Sequence, residues 1–308
     1  MVDRVRLNEP PEAQSFRHRI GEVELIALSD GGLNYPAAMI FGNVPPEGVS
    51  QYNLPRKQLY IPYTILLIRT AGRLLLNDVG AGDLGNPGDN TFPGLDHTTS
   101  RTNLALPSLQ AAGISPTEID MVLITHAHPD HIGGMFDANG NLAFPNARYY
   151  VAQEEWDYWM SADPSAVEAE ALREHLEWLV RDARRAFNGI EDQVSLVEEG
   201  EELLPGIRVE ATYGHTPGHV LLTISAGDQK AYNISDVVVD PLFLEHPEWA
   251  AAIDMDAGQA DSARRRFFAQ AAEENALVFA HHLGPFPNFG RIVQKGDSWQ
   301  WQPIETAA

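Results

Sequence analysis

The chain has 308 residues, no cysteine, and 43 acidic against 21 basic side chains, for a formal net charge of −22. Without cysteine there is no disulfide, no thiolate metal site and no cysteine nucleophile, so any metal must be held by histidine and carboxylate. The acidic excess repels phosphate backbones and anionic headgroups, which argues against nucleic acid or a membrane as partner. No apolar run approaches the ~18 residues of a membrane span. No apolar leader follows Met1–Arg6, so a cytoplasmic location is the expectation.

Residues 1–17 are polar, contain Pro10-Pro11 and read as an N-terminal arm, which leaves 18–308 as a single domain. Val23–Leu28 alternates and predicts a strand, broken by Asp30-Gly31-Gly32. Residues 33–58, with Pro36, Pro45, Pro46 and Pro55, predict a long ordered loop. Ile65–Ile68 and Leu74–Leu76 predict two strands joined at Ala71-Gly72, and Gly and Pro make 80–94 another loop. Leu104–Ala112 predicts a helix ended by Gly113, and Met121–Ile124 a short buried strand. Arg148–Ala152 follows as a strand. Asp163-Pro164 then opens a helix, Asp as cap and Pro at its first position, with the apolar stripe Leu172, Leu176, Leu179, Ala183, Phe187 and a stop at Gly189. This makes a helical insert near 153–189. Val194–Val197, Ile207–Tyr213, Val220–Ser225 and Lys230–Ile234 predict successive strands, Ser262–Asn275 a helix, and Ala276–Ala280, Arg291–Gln294 and Trp299–Pro303 closing strands. Two packed sheets flanked by helices fit this order.

The informative run is His126-x-His128-x-Asp130-His131, directly behind the strand Met121–Ile124. Alternate residues of an extended chain share a face, so His126 and His128 point the same way, and the turn at Pro129 lets Asp130 and His131 face a neighbouring point. One loop can thereby feed two metals. Further candidate ligands stand just past other apolar runs: His215, Asp236, and His281 or His282. Strand ends are where a rigid scaffold usually carries function. His18, His97, His175 and His246 have no such context and read as surface or loop residues. Trp156, Tyr158, Trp159 and Trp178 read either as an aromatic wall over an apolar substrate or as packing of the insert onto the sandwich.

The order HxHxDH, His215, Asp236, His282 resembles the metallo-β-lactamase superfamily, over roughly residues 20–305. Leu76-Asn77-Asp78-Val79-Gly80 is similar to that family's aspartate-glycine loop, and His215-Thr216-Pro217-Gly218-His219 to its third metal motif. Pro285-Phe286-Pro287 behind a histidine resembles the branch of lactonases, arylesterases and organophosphate hydrolases. The resemblance implies an α/β fold, a four-layer αβ/βα sandwich with the site at one edge. It implies that His126, His128 and His215 hold one metal, that Asp130, His131 and a terminal histidine hold the other, and that Asp236 bridges. His282 suits the terminal place better than His281 by its spacing to Pro285-Phe286-Pro287. Asp78 and His219 either orient ligand histidines or make ordinary loop hydrogen bonds.

The implied cofactors are two divalent ions, Zn²⁺ foremost, with Mn²⁺ and Fe²⁺ compatible with the same donors. A hydroxide shared between ions roughly 3.5–4 Å apart would attack the substrate, and Asp130 would relay the proton to the leaving group. The expected function is a metal-dependent hydrolase of lactones or other carboxylic esters, acting on a small neutral molecule, with homodimerisation left open. Phosphotriester or β-lactam hydrolysis is the alternative, and a mononuclear iron persulfide dioxygenase is a more distant one. Some lactonase relatives place a tyrosine three residues after the bridging aspartate; Val239 stands there, which sets this chain apart from them.

Overall fold

The computed structural model describes residues 12–85 and 96–305. Strands β1 (Ser15–Ile20), β2 (Val23–Pro36), β3 (Gln58–Thr70), β4 (Arg73–Asn77), β5 (Asp96–Arg101), β6 (Met121–Ile124), β7 (Arg148–Ala152) and β8 (Val194–Val197) form one sheet, ordered β1-β2-β3-β4-β6-β7-β8 with β5 paired to β2. Strands β9 (Glu202–Leu204), β10 (Ile207–Ala211), β11 (Val220–Ala226), β12 (Gln229–Asn233), β13 (Leu277–Phe279), β14 (Phe289–Lys295) and β15 (Ser298–Pro303) form the second, in the reverse of that order. The helices are α1 (Ala37–Phe41), α2 (Pro46–Gln51), α3 (Ala105–Ala111), α4 (Pro129–Ile132), α5 (Gln153–Ser161), α6 (Glu170–Ile190), α7 (Leu242–Glu245) and α8 (Ala257–Glu273). No helix among the described residues is long and apolar enough to cross a membrane.

The four layers follow from the two-residue period of the strands. Leu25, Ala27, Leu66, Ile68, Leu75 and Leu123 face the second sheet and meet Val209, Leu222, Ile224 and Phe279 in a core between the sheets. Their neighbours Ile26, Leu28, Ile65, Leu67, Leu76, Val122 and Ile124 face the other way, against Leu109 of α3 and Val180, Ala183 and Phe187 of α6. On the far side of the second sheet, Tyr232, Val278 and Ile292 pack under Phe267, Phe268 and Ala271 of α8. Strands β4, β6, β7 and β8 run parallel, as do β12 and β13. Parallel neighbours need crossovers, and the turns at their carboxyl ends are where such sheets bind ligands. The architecture is the αβ/βα sandwich expected from the sequence.

Several predicted boundaries move, each for a visible reason. Residues 15–17 are not arm but the start of β1, paired to Leu28, Ala27 and Ile26. Asp30-Gly31-Gly32 does not end β2; the strand continues through a bulge between Ser29 and Gly31. The stretch 33–58 holds the end of β2, two short helices and the start of β3 rather than a continuous loop. Asp163 caps only the single turn Pro164–Ala166, and the long helix starts at Glu170. Gly189 lies inside α6: a Cβ there would come within 2.3 Å of the Phe136 ring, so glycine serves close packing rather than termination. The last helix begins at Ala257, five residues before the predicted start, with Asp256 accepting from Gly258 and Gln259 N–H. Much of the predicted loop 80–94 and most of the predicted N-terminal arm lie outside the described residues.

The bulge in β2 turns Asp30 inward. Its carboxylate accepts from Ala81 N–H at 2.6 Å and from Leu104 and Ala105 N–H at 2.7 Å each, tying the turn after β4 to the start of α3. Burial pushes its pKa up to about 7 against the pull of these bonds. Asp30→Ala strands three buried N–H groups and is expected to lower the unfolding free energy by about 2–4 kcal/mol, with Asp30→Asn less damaging; urea denaturation of the three proteins measures the order.

Candidate metal centre

The turn after β6 is built by Pro129. His128 is the N-cap of α4 with extended backbone (φ −72, ψ 150), and proline follows at the first helical position. The chain therefore changes direction between His128 and Asp130. His126 and His128 stay on the extended side, while Asp130 and His131 ride on the helical turn. His126 Nε2 lies 3.1 Å from His128 Nδ1, which lies 2.9 Å from His215 Nε2. Burial first, then the neighbouring imidazoles, holds His126 and His128 well below the usual histidine range, so both keep a free lone pair.

Asp236 joins this trio to a second group. Its Oδ2 lies 3.3 Å from His215 Nε2, 3.9 Å from His126 Nε2 and 3.2 Å from His282 Nε2, while Oδ1 lies 3.2 Å from His131 Nε2. His282 Nε2 is also 3.4 Å from Asp130 Oδ2. Thus the structure brings His126, His128, Asp130, His131, His215, Asp236 and His282 together. Their ligating atoms form three overlapping groups, each within 4.8 Å: His126, His128 and His215; His126, His131 and Asp236; Asp130, His131, His281 and His282.

The donor set fits divalent cations. His281 Nε2 is buried without a hydrogen-bond partner, and His131 Nε2 and Asp236 Oδ1 have only each other, at 3.2 Å. Such orphans are rare in folded proteins, and an ion at a shared point satisfies them. Imidazole nitrogen and carboxylate oxygen are donors of the kind Zn²⁺ takes.

Around these residues stands a second set that aims them. Asp78, held at φ 64, contacts His131 Nδ1 at 2.9 Å and accepts from Thr125 N–H at 2.8 Å. His219 Nε2 accepts from Asp236 N–H at 3.2 Å, and its Nδ1 meets Thr212 Oγ1 at 2.7 Å. His282 Nδ1 lies 2.9 Å from the Pro62 carbonyl. Of the alternatives left by the sequence, Asp78 and His219 touch the site rather than loop backbone alone.

Two acids in this set escaped sequence reasoning. Asp254 Oδ1 contacts His215 Nδ1 at 3.0 Å, and its Oδ2 accepts from Arg264 at 2.6 Å. Glu155, buried at the start of α5, accepts from Ala127 N–H (2.8 Å), Trp159 Nε1 (2.7 Å), Thr216 Oγ1 (2.7 Å) and Gly218 N–H (2.9 Å). Neither belongs to a motif; the spacing of four between Glu155 and Trp159 was the one local signal.

His281 and His282 both reach the site because β13 ends at Phe279, before the alternation of a strand would send them to opposite faces. His282 faces Asp130 and Asp236, whereas the His281 ring stacks on that of His131, centroids 4.1 Å apart. The remaining histidines divide. His18 packs on Phe289 and His246 stacks on Trp249, while His97 lies on β5. His175, read from the sequence as a surface or loop residue, lies on α6 and lines the cavity above the cluster.

That cavity measures about 470 Å³. Its floor is His128, Asp130, Asp236 and His282, and its walls include Met39, Ile40, Leu176, Trp178, Val239 and Ile253. Of the four aromatics in question, only Trp178 lines it. Trp156 stacks on Phe187 at 4.8 Å, Trp159 is sealed against Glu155, and Tyr158 packs edge-on to Trp159. The α6 stripe splits likewise: Leu179, Ala183 and Phe187 are buried, whereas Leu172, 63% exposed, stands at the mouth.

Residues 81–282 match the model of a family described as the metallo-beta-lactamase superfamily. An N-acyl homoserine lactonase of Bacillus thuringiensis is 25% identical over 203 residues, 60% of this chain and 71% of that protein. Among solved structures, AidC, a dizinc quorum-quenching lactonase in complex with a product, superposes with a TM-score of 0.83 at 27% identity, covering 96% of this chain and 99% of that one. The hydrolase AbOPH, described as in the beta lactamase superfamily, also gives 0.83 at 25% identity, covering 97% and 100%.

If Asp236 faces both ions, Asp236→Ala is expected to lower bound metal at both positions, whereas His131→Ala spares the ion held by His126, His128 and His215. Elemental analysis after equilibration with Zn²⁺ distinguishes roughly none from roughly one ion per chain. His282→Ala is expected to cost more metal and activity than His281→Ala, since only the former ring faces both carboxylates; paired assays of the two variants give the ranking.

Proposed function

The chain belongs to the metallo-β-lactamase superfamily and is a metal-dependent hydrolase, and from that premise we propose that it uses two divalent ions, Zn²⁺ foremost, to open small neutral lactones or cleave related carboxylic esters at the acyl carbon. The observation that carries this reading is the apolar cavity standing directly on the cluster. A neutral molecule with an apolar tail fills such walls while its carbonyl rests on the floor. N-acyl homoserine lactones, named for the Bacillus relative, have that form: a compact polar ring and an alkyl tail. Leu172 and Met255, 63% and 40% exposed, extend the apolar surface to the rim. The net charge of −22 slows polyanions and leaves a neutral ester indifferent.

In this reading His126, His128 and His215 would hold one ion, Asp130, His131 and His282 the other, and Asp236 would serve both. When bound, the ions supply a water of lowered pKa and polarise the carbonyl. The chain's own residues do the rest. Asp78 and Asp254 accept from the far ring nitrogens of His131 and His215, which fixes each ring's tautomer and direction. Asp130 alone among the seven is only partly buried and lies at the cavity floor, so it can pass a proton to the leaving oxygen as the C–O bond breaks.

A panel of lactones with graded acyl chains, aryl esters, phosphotriesters, β-lactams and thiol persulfides tests the reading. Metal-dependent turnover of lactones or esters is expected, with ¹⁸O from labelled water in the product acid and not in the alcohol. Turnover confined to the other three classes overturns it.

A further inference from the structure

The cavity wall carries one phenol, Tyr35, paired with a buried one, Tyr63, and the metal cluster uses neither. Tyr35, near the end of β2, lines the cavity together with Asp130, Asp236 and His282. Its hydroxyl is hydrogen bonded to that of Tyr63 on β3. In the β2–β3 ladder Tyr63 lies opposite Gly31, four residues before Tyr35. An even offset puts both rings on one face of the sheet, where they lean together. The Tyr63 ring stands edge-on to His282, centroids 5.5 Å apart, and tilted over His281 at 6.0 Å.

Which phenol donates to the other follows from burial. Tyr63 is 1% exposed, and among the described residues its hydroxyl has no other hydrogen-bond partner. If Tyr35 donated, the Tyr63 proton would be sealed in without an acceptor, the costly kind of orphan. With Tyr63 donating, both of its needs are met by one bond, and the Tyr35 proton is released toward the cavity. Burial holds the Tyr35 hydroxyl well above the usual phenol range, so it stays a donor.

We propose that Tyr35 is a catalytic residue, donating a hydrogen bond to the acyl oxygen of the substrate as negative charge gathers there, with Tyr63 as the positioning residue that aims it. This deepens the hydrolase reading and rests on it. As the water oxygen gives one proton to Asp130 and bonds to the acyl carbon, the carbonyl π pair moves onto the acyl oxygen and meets the phenol proton. Collapse returns that pair, breaks the C–O bond, and the leaving oxygen takes its proton from Asp130. The phenol is never consumed. A donor aimed where charge develops acts on the transition state more than on the substrate.

The test compares Tyr35→Phe and Tyr63→Phe with the unaltered protein, all fully loaded with Zn²⁺. Tyr35→Phe is expected to lose about 100-fold in kcat with KM within a few-fold, with bound metal and melting temperature unchanged. Tyr63→Phe, which keeps the donor but loosens its aim, is expected to lose less. Calorimetry supplies an arm that needs no turnover: methyl hexylphosphonate, a tetrahedral monoanion, is expected to bind Tyr35→Phe much more weakly, and hexanoate equally well. Unchanged kcat and phosphonate affinity in Tyr35→Phe, or a rise in KM alone, overturns the proposal. Loss of metal or of melting temperature in that variant also overturns it, in favour of a structural phenol. If no ester or lactone is turned over while the phosphonate deficit remains, the substrate reading fails and the role of the phenol stands.

Discussion

One buried carboxylate joins the two halves of this site. Glu155 receives Ala127 N–H from the turn after β6 in the first sheet, and Thr216 Oγ1 and Gly218 N–H from the turn after β10 in the second. The core between the sheets is apolar, and apolar contact is non-directional. It brings two surfaces together without fixing one imidazole against another to a few tenths of an ångström. Glu155 does that for His126, His128 and His215. Gly218 lets the second turn come close enough: a Cβ there would stand 2.0 Å from the Glu155 nitrogen. Burial raises the pKa of Glu155 and its four donors oppose the rise, so the bracket consists of those donors as much as of the acid. A second tie, Thr125 Oγ1 to Ser235 Oγ at 2.8 Å, couples the same turn to the strand end that presents Asp236.

The electrostatics follow from this crowding. Seven imidazoles, those of His126, His128, His131, His215, His219, His281 and His282, are buried together with the carboxylates of Asp78 and Asp236, in a protein whose surface is strongly acidic. His131 is driven toward its charged form: burial opposes this, but Asp236, Asp78 and Asp130 together prevail. His219 goes the other way, down to about 3, through burial and the nearby His215. It therefore stays neutral and keeps the lone pair that receives Asp236 N–H. The centre is thus poised to exchange protons for cations, the usual coupling between metal affinity and pH.

How much of this was legible in the sequence depended on whether a residue's neighbours lay near it in the chain. In the first sheet β3, β4, β6, β7 and β8 were legible because alternating residues serve two different cores, whereas β1 and β5 were not; the run from His126 to His131 was legible because one turn supplies several donors. His215, Asp236 and His282 were legible as polar residues ending apolar runs. Asp30, Glu155 and Asp254 were not: the contacts that tie each to the site or to a distant turn span 28 to 75 residues, and the spacing of four between Glu155 and Trp159 was the one local mark. Gly189 misled for a related reason, since the group that excludes its Cβ is Phe136, far back in the chain. The two histidines after β13 looked like alternatives only while a regular strand was assumed to continue through them. The Tyr35–Tyr63 pair depended on a β2 that runs on past its bulge, where Asp30-Gly31-Gly32 had suggested an end.

The two sides of the cavity mouth are not equally free to change. On one side, Leu172, Leu176 and Trp178 project from α6, which carries none of the seven candidate ligands. On the other, Ile253 and Met255 flank Asp254, whose carboxylate holds His215 and is itself held by Arg264. A substitution on the first side reshapes the cavity wall without moving a candidate ligand. One on the second displaces an imidazole along with the wall. Adaptation to new substrates, natural or in a library, therefore has an open route along α6 and a guarded one along residues 252–255, and variants of altered range should accumulate on the helix while the loop between Ala252 and Met255 stays as it is.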